Sequence, residues 1–439
     1  MGLNGNFETF RARRRRFMDA IGEGAVAILP AAPVAVRSND VDYVYRQDSD
    51  FYYLTGFTEP QSAAMFAPGH PDGEFVMFVP PRDKERETWT GRRAGIEGAM
   101  IDYGADKAFV FDDFDKVAAQ YLAKAERVHY PLGHNESMNT SVLKLVRAAQ
   151  SMRPRLGSGA SAIFDPREIL HEARLRKDAG EIELMRRAAA ISAEAHRRAM
   201  REARPGMMEF EVEAIVDFTF RRSGATGPSY PSIVACGGNA SVLHYVTNDC
   251  ELRHGQMLLI DAGCEYQFYA SDITRTFPVG AGFDPLHKAI YEIVLAAQTK
   301  AIEAIKPGVH VDEPHDAAVK VLVAGMIELG LLTGSVDDAI ASGSFRRFYM
   351  HRTSHWLGMD VHDVGLYRTE GKPRVLEPGM VLTVEPGIYI GPDDDGVPEK
   401  FRGIGIRIED DVLLTADGHE VITSATPKSV ADVEALTSG

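Results

Sequence analysis

Cysteine is scarce. The 439 residues hold three, Cys236, Cys250 and Cys264, spaced 14 apart with no CxxC pair. That excludes a disulfide framework and a thiolate metal site, and it points to a reducing compartment, so a cytoplasmic location is expected. Cys264 follows a glycine in an apolar stretch and reads as a small buried hydrophobe. No apolar run reaches the roughly 18 residues that span a bilayer. The basic cluster Arg11–Arg16 has no apolar core after it, because Asp19 and Glu23 interrupt, so a secretory signal is not expected. A basic surplus is also lacking. Lys plus Arg number 48 against 63 Asp plus Glu, a net charge of −15, which argues against a general nucleic-acid binder and favours solubility.

Hydrophobic residues make up 45% and charged residues 25%, ordinary globular usage with ample core. The length predicts two or three domains. Strand-like runs at 24–29, 63–67, 75–79 and 127–131 alternate with helical patterns near 115–126 and 138–152, separated by turns such as Pro68-Gly69. This predicts an α/β domain over residues 1–175. The Arg11–Arg16 cluster reads as a solvated helix face. From Asp178 a long helix is predicted, with Ile182, Met185, Ala189 and Ile191 at helical spacing, and Pro205-Gly206 ends it.

Residues 176–439 contain an internal echo. A helix ends at Pro205-Gly206 and another follows over 209–221; later one ends at Pro307-Gly308 and another follows over 313–329. Each pair leads to a similar strand. In GQMLLIDAG the acid Asp261 follows Gly255 by six residues, and in GMVLTVEPG the acid Glu385 follows Gly379 by six. A duplicated helix–helix–strand unit would place one acid at the end of each equivalent strand.

Those acids carry the chemistry. Asp261 ends an apolar strand, Asp272 lies in what reads as the next strand of a hairpin, Glu385 ends the echo strand, and Glu409 sits in an alternating strand, GIGIRIEDD. Singly, each would pass as a salt-bridged or capping acid. Four carboxylates at strand ends can converge only around positive charge. YMHRTSHWLGMDVHDVG adds His351, His355 and His362, and SVLHYV adds His244. The i, i+4 spacing of His351 and His355 resembles a zincin, but Arg352 stands where a zincin needs glutamate, and Gly358 with the following run suggests turn and strand. An oxygen-rich donor set with one or two imidazoles favours Mn²⁺, Co²⁺ or Fe²⁺ over structural zinc, and so many anionic ligands favour two ions activating a water between them.

The motifs LLIDAG, SDITRTF, SHWLGMDVHD, TVEPGIYI and GIGIRIEDD resemble those of the pita-bread metallopeptidases. With SNDVDYVYRQDSDFYYLTGFTEP and ETWTGRRAG the likeness extends over nearly the whole chain and is similar to the aminopeptidase P family. The resemblance implies an α/β (α+β) architecture: an N-terminal α/β domain (1–175) that shapes the substrate entrance and makes oligomer contacts, then a pita-bread catalytic domain (176–439) with an internal pseudo-two-fold repeat. It implies that Asp261 binds one metal, that Asp272 and Glu409 bridge two, and that His355 and Glu385 complete the other. Mn²⁺ is the first expectation, with Co²⁺, Fe²⁺ or Zn²⁺ as substitutes. His244 and His362 would contact substrate and the tetrahedral intermediate, and Glu385 would carry the proton. His351, Tyr389 and Arg407 would line a proline pocket, with Arg407 two residues before Glu409 and so on the same strand face. Asp40 and Trp89 match positions that border a neighbouring active site.

The implied activity is release of the N-terminal residue from peptides with proline second, by attack of a water activated between the metals. The implied assembly is a homodimer or homotetramer, without nucleic-acid or membrane partners. Prolidase, which shares the metal site but takes Xaa-Pro dipeptides, is the nearest rival. Methionine aminopeptidase lacks a large N-terminal domain, and creatinase-like enzymes lack the ligands. A non-catalytic peptide- or histone-binding module of the same fold would have lost them.

Overall fold

The computed structural model describes residues 7–437. They fall into two compact units that divide between His171 and Glu172.

The first unit is built on a six-stranded mixed sheet. Its order is Lys107–Val110, Phe75–Val79, Ala63–Phe66, Ala25–Pro30, Arg127–His129 and Ala162–Phe164. The central strands are apolar throughout, as burial on both faces requires. Helices Phe114–Leu122 and Glu136–Leu156 lay Val117, Tyr121, Val142 and Val146 on one face. Helix Phe7–Ile21 corrects one expectation: its arginine cluster is not simply a solvated face. Arg13 and Arg14 are buried. The Arg13 guanidinium lies 4.3 Å over Tyr53, while that of Arg14 lies 4.3 Å over Phe75 and donates to the Leu54 carbonyl at 3.0 Å. Arg15 and Arg16 are exposed.

The second unit contains both helix pairs: Ala179–Glu202 with Glu209–Arg222, and Pro285–Ala304 with Glu313–Glu328. Asp178 opens the first with a reciprocal capping box, its carboxylate accepting from the Glu181 N–H while Glu181 accepts from the Asp178 N–H, both at 2.9 Å. The echo extends to backbone conformation. Gly206 and Gly308 both have φ of +90°, and Gly255 and Gly379 have +76° and +87°. Glycine suits these left-handed turns because it lacks a Cβ. The two helices of each pair are therefore joined through the same kind of turn, and so is each strand, Met257–Asp261 or Val381–Val384, entered.

Met257–Asp261 lies between Ile233–Cys236 and Thr274–Pro278, antiparallel to both. Val381–Val384 pairs with Asp410–Leu414, and Gly387–Ile390 pairs with Ile404–Arg407. Two strand expectations are corrected here. Asp272 is not in a hairpin strand; a small pair, Cys264–Tyr266 with Tyr269–Ala270, intervenes, and Asp272 sits in the connection before Thr274–Pro278. GIGIRIEDD is not one strand either. It breaks at Ile408-Glu409, where the chain leaves a two-stranded sheet and joins a three-stranded one. Arg407, at the end of the first strand, and Glu409, within the break, reach the same cleft. The segment from His351 to Val364 is irregular, apart from an isolated bridge between Trp356 and Leu382.

Candidate metal centre

Asp261, Asp272, His355, Glu385 and Glu409 line one cleft of about 580 Å³ in the second unit. His244, His351, His362 and Arg407 line it too, and Pro231, Ile233, Leu243, Val246 and Val361 give it an apolar wall. Tyr389 stands behind this surface: its hydroxyl accepts from Arg407 Nη1 at 3.1 Å and meets His351 Nε2 at 2.8 Å. His244 and His362 are exposed at the cleft, and the His362 ring meets that of His355 edge-on, with centroids 4.4 Å apart.

The ligand-type atoms of Asp272, His355 and Glu409 lie within 4.8 Å of one another. His355 Nε2 is 3.5 Å from Asp272 Oδ2 and 3.5 Å from Glu385 Oε1. Its Nδ1–H donates to the Trp356 carbonyl at 3.0 Å, which fixes the ring and aims Nε2 at the acids. Backbone pairing sets this geometry. Thr383 N–H donates to the His355 carbonyl at 3.0 Å and Glu385 N–H to the Thr353 carbonyl at 2.9 Å. Thr383 Oγ1 accepts from the His355 N–H at 3.1 Å.

Arg407 and Tyr230 hold the remaining carboxylates. Arg407 Nη2 donates to Asp261 Oδ2 at 2.6 Å and Nε to Thr274 Oγ1 at 3.0 Å. Thr274 in turn donates to Glu409 Oε2 at 2.6 Å. The Tyr230 hydroxyl is 2.7 Å from Asp261 Oδ1 and 2.5 Å from Asp272 Oδ1, and its single hydrogen serves one of them at a time. Burial, with Asp261 and Asp272 adding to it, raises the Tyr230 pKa far above the ordinary phenol range, so it stays a neutral donor. Tyr230 lies outside the motifs, while Thr274 and Thr383 lie inside SDITRTF and TVEPGIYI beside the acids; the roles of all three arise from tertiary pairing.

The electrostatics fit divalent cations. Burial, reinforced by the neighbouring acids, raises the pKa of Asp261 and, well above the carboxylate range, of Glu409. Glu385 is pushed to about 7 by burial and by Asp272 and Asp261, against the pull of His355 and Arg407. His355 would be lowered by burial, but its hydrogen bond to Asp272 and the charge of Glu385 carry it to about 9. Asp272, which burial alone would raise, is brought below its ordinary value by the same His355 contact. Protons thus offset negative charge that the fold crowds into a dry site, and metal cations can do the same. Glu209, Asp249 and Cys250 form a second group of ligand types. There Glu209 is already saturated, accepting from Cys236 N–H, Asn239, Tyr245 and Cys250 N–H.

Comparison with known proteins decides the family. The chain matches Metallopeptidase family M24 over residues 183–416 and the aminopeptidase P N-terminal domain over residues 10–130. It is 43% identical to the Xaa-Pro aminopeptidase of Escherichia coli, over 98% of this chain and 97% of that one. The chain belongs to the aminopeptidase P group of metallopeptidase family M24. Among solved structures, this M24 chain superimposes on an aminopeptidase of Pseudomonas aeruginosa with a TM-score of 0.96 and 50% identity, covering 98% of both chains. It superimposes on zinc-substituted Escherichia coli aminopeptidase P in complex with product with a TM-score of 0.94 and 42% identity, again over 98% of both. Its fold is therefore the pita-bread fold preceded by an aminopeptidase P N-terminal domain, and its cleft is that of a divalent-metal hydrolase.

Proposed function

We propose that this chain releases the N-terminal residue from peptides with proline in the second position. The observation that carries the proposal is the convergence of Asp261, Asp272, Glu385, Glu409 and His355 at the floor of one cleft with an apolar wall. Asp261 would hold one divalent ion, His355 with Glu385 would hold the other, and Asp272 and Glu409 would serve both, with Mn²⁺ the first choice. When bound, such ions supply a water of lowered pKa and neutralise charge developing on a carbonyl oxygen.

The chain's own groups supply the rest. The carboxylates attract the cationic α-amino group of the substrate, which orients the first peptide bond over the floor. The apolar wall takes the pyrrolidine ring, whose tertiary amide has no N–H to offer. His244 and His362, on the exposed side of the cleft, face the carbonyl oxygen and hold it as it becomes an oxyanion. Glu385 is the proton carrier: its carboxylate takes a proton from the attacking water and returns it to the prolyl nitrogen. Arg407 and Tyr389 position His351, whose Nδ1–H donates to the Arg352 carbonyl at 2.8 Å, so that its ring face packs against proline.

We place this activity in the cytoplasm, in keeping with three free cysteines, and in a homodimer or homotetramer, in keeping with the 86% exposure of Trp89. A mass measurement in solution tests the assembly. The activity is tested by assaying Xaa-Pro-Yaa, Xaa-Ala-Yaa and Xaa-Pro substrates side by side. Release from Xaa-Pro-Yaa alone or foremost supports the reading; exclusive cleavage of the dipeptide makes the protein a prolidase.

A further inference from the structure

Beside the metal cleft lies a second cavity of about 440 Å³, and Arg352, Ser354 and His355 line both. The charged residues lining the second cavity are unbalanced. Asp312 accepts from Arg352 through one oxygen and from Arg368 Nη2 at 3.3 Å through the other, so one carboxylate serves two guanidinium groups. Two such groups carry ten N–H donors, far more than one carboxylate can accept. His315, also on this wall, adds no charge near neutrality, since burial and nearby Arg352 lower it to about 4. Glu313 and Asp316, the acids in the first turn of helix Glu313–Glu328, do not line the cavity, although Asp316, raised by burial and by Asp312, feels the opposing pull of Arg352. Ser354 Oγ is buried and has no hydrogen-bond partner among the described residues. The Arg352 side chain remains 60% exposed, open to a ligand from solvent.

The cleft floor is thus acidic while its flank carries surplus guanidinium. A peptide has the matching polarity, with an amine at the end held by the floor and negative charge further along. We propose that Arg352 and Arg368 form a subsite for a carboxylate on the far side of the scissile bond, either the C-terminus of a short peptide or an acidic side chain after proline. This rests on the peptidase reading above. Bidentate guanidinium–carboxylate geometry would make the contact selective for a planar anion.

The test compares kcat/KM within two substrate pairs: Ala-Pro-Ala as free acid against its amide, and Ala-Pro-Asp-amide against Ala-Pro-Asn-amide. The anionic member of at least one pair should be favoured about three- to fivefold at low salt, as expected for a part-exposed ion pair. Preference in the first pair identifies the C-terminus as the source, and in the second the side chain. The ratio should fall towards one in about 0.5 M KCl and in the Arg352→Ala/Arg368→Ala variant. It should rise in Asp312→Asn, which frees both arginines; Asp312 makes no side-chain cap bond, so that variant tests the subsite even if the double variant fails to fold. Equal rates within both pairs for the wild type, or a ratio that survives in the folded double variant or fails to rise in Asp312→Asn, overturns the subsite. No cleavage of any of the four peptides overturns the peptidase reading instead.

Discussion

Arg407 and Asp261 form a buried ion pair, with Nη2 2.6 Å from Oδ2 and side chains 4% and 13% exposed. Asp261 ends one strand and Arg407 ends another 146 residues later, so the contact ties the two halves of the repeat together at the metal cleft. Removing the cation strands a buried carboxylate. Arg407→Ala should destabilise the metal-free protein by about 3 kcal/mol. The loss should be smaller once metal is bound, because the metal then partners Asp261. Thermal unfolding with and without Mn²⁺ measures the difference.

Tyr230→Phe removes the hydroxyl shared by Asp261 and Asp272 while keeping the ring. The two carboxylates then lose the donor that sets their separation. Metal affinity should fall about tenfold, the low end for a lost partner of metal ligands. Calorimetric titration of the metal-free variant checks this independently of activity.

Metal uptake should depend on pH with a definite sign. In the metal-free protein Glu385 is raised from 4.5 to about 7 and His355 from 6.5 to about 9. From these two groups, the folded metal-free state holds more protons than the unfolded chain between those limits. Their stabilisation is present at low pH and is lost as pH rises through the folded values. Metal must displace the same protons, so its affinity rises with pH. The gap in Tm between loaded and metal-free protein should widen from about pH 6 to about pH 9. A constant gap would contradict these protonation states.

Asp363 follows His362 and is held by Lys177 Nζ at 2.9 Å and Arg174 Nη2 at 2.6 Å, all three side chains nearly inaccessible. Its backbone N–H donates to the Trp356 carbonyl at 2.9 Å, closing the loop between His355 and His362. Asp363→Asn leaves the buried Lys177 without its carboxylate, while Arg174 keeps Asp360 at 2.6 Å, and should destabilise by about 3 kcal/mol. Denaturant unfolding measures it. Lys177→Met in the same background should recover part of the loss, because one unpaired charge is then gone.

The parts of the fold and site that could be read in advance are those with local causes. The repeat was visible because Pro-Gly turns and a strand ending in an acid are short-range signals, and the matching φ values of Gly206 with Gly308 and Gly255 with Gly379 show the same cause in the backbone. The acids stood out because a carboxylate at the end of an apolar strand needs a partner. What escaped depends on distant chain. The break at Ile408-Glu409 is hidden by continuous apolar alternation, and only the two different sheet partners on either side create it. Arg13 and Arg14 looked solvated because their aromatic and carbonyl partners lie tens of residues away. Tyr230 meets Asp261 and Asp272 only across the assembled sheet.

The central claim is that these five residues form a divalent-metal centre for Xaa-Pro hydrolysis. Its most direct test is to strip the protein with EDTA, then titrate Mn²⁺ back while following release of the first residue from an Xaa-Pro-Yaa peptide. The account predicts no activity in EDTA, recovery that saturates near two metal equivalents, and no recovery in Asp272→Ala or His355→Ala. Full activity in EDTA, or in either variant, would contradict it.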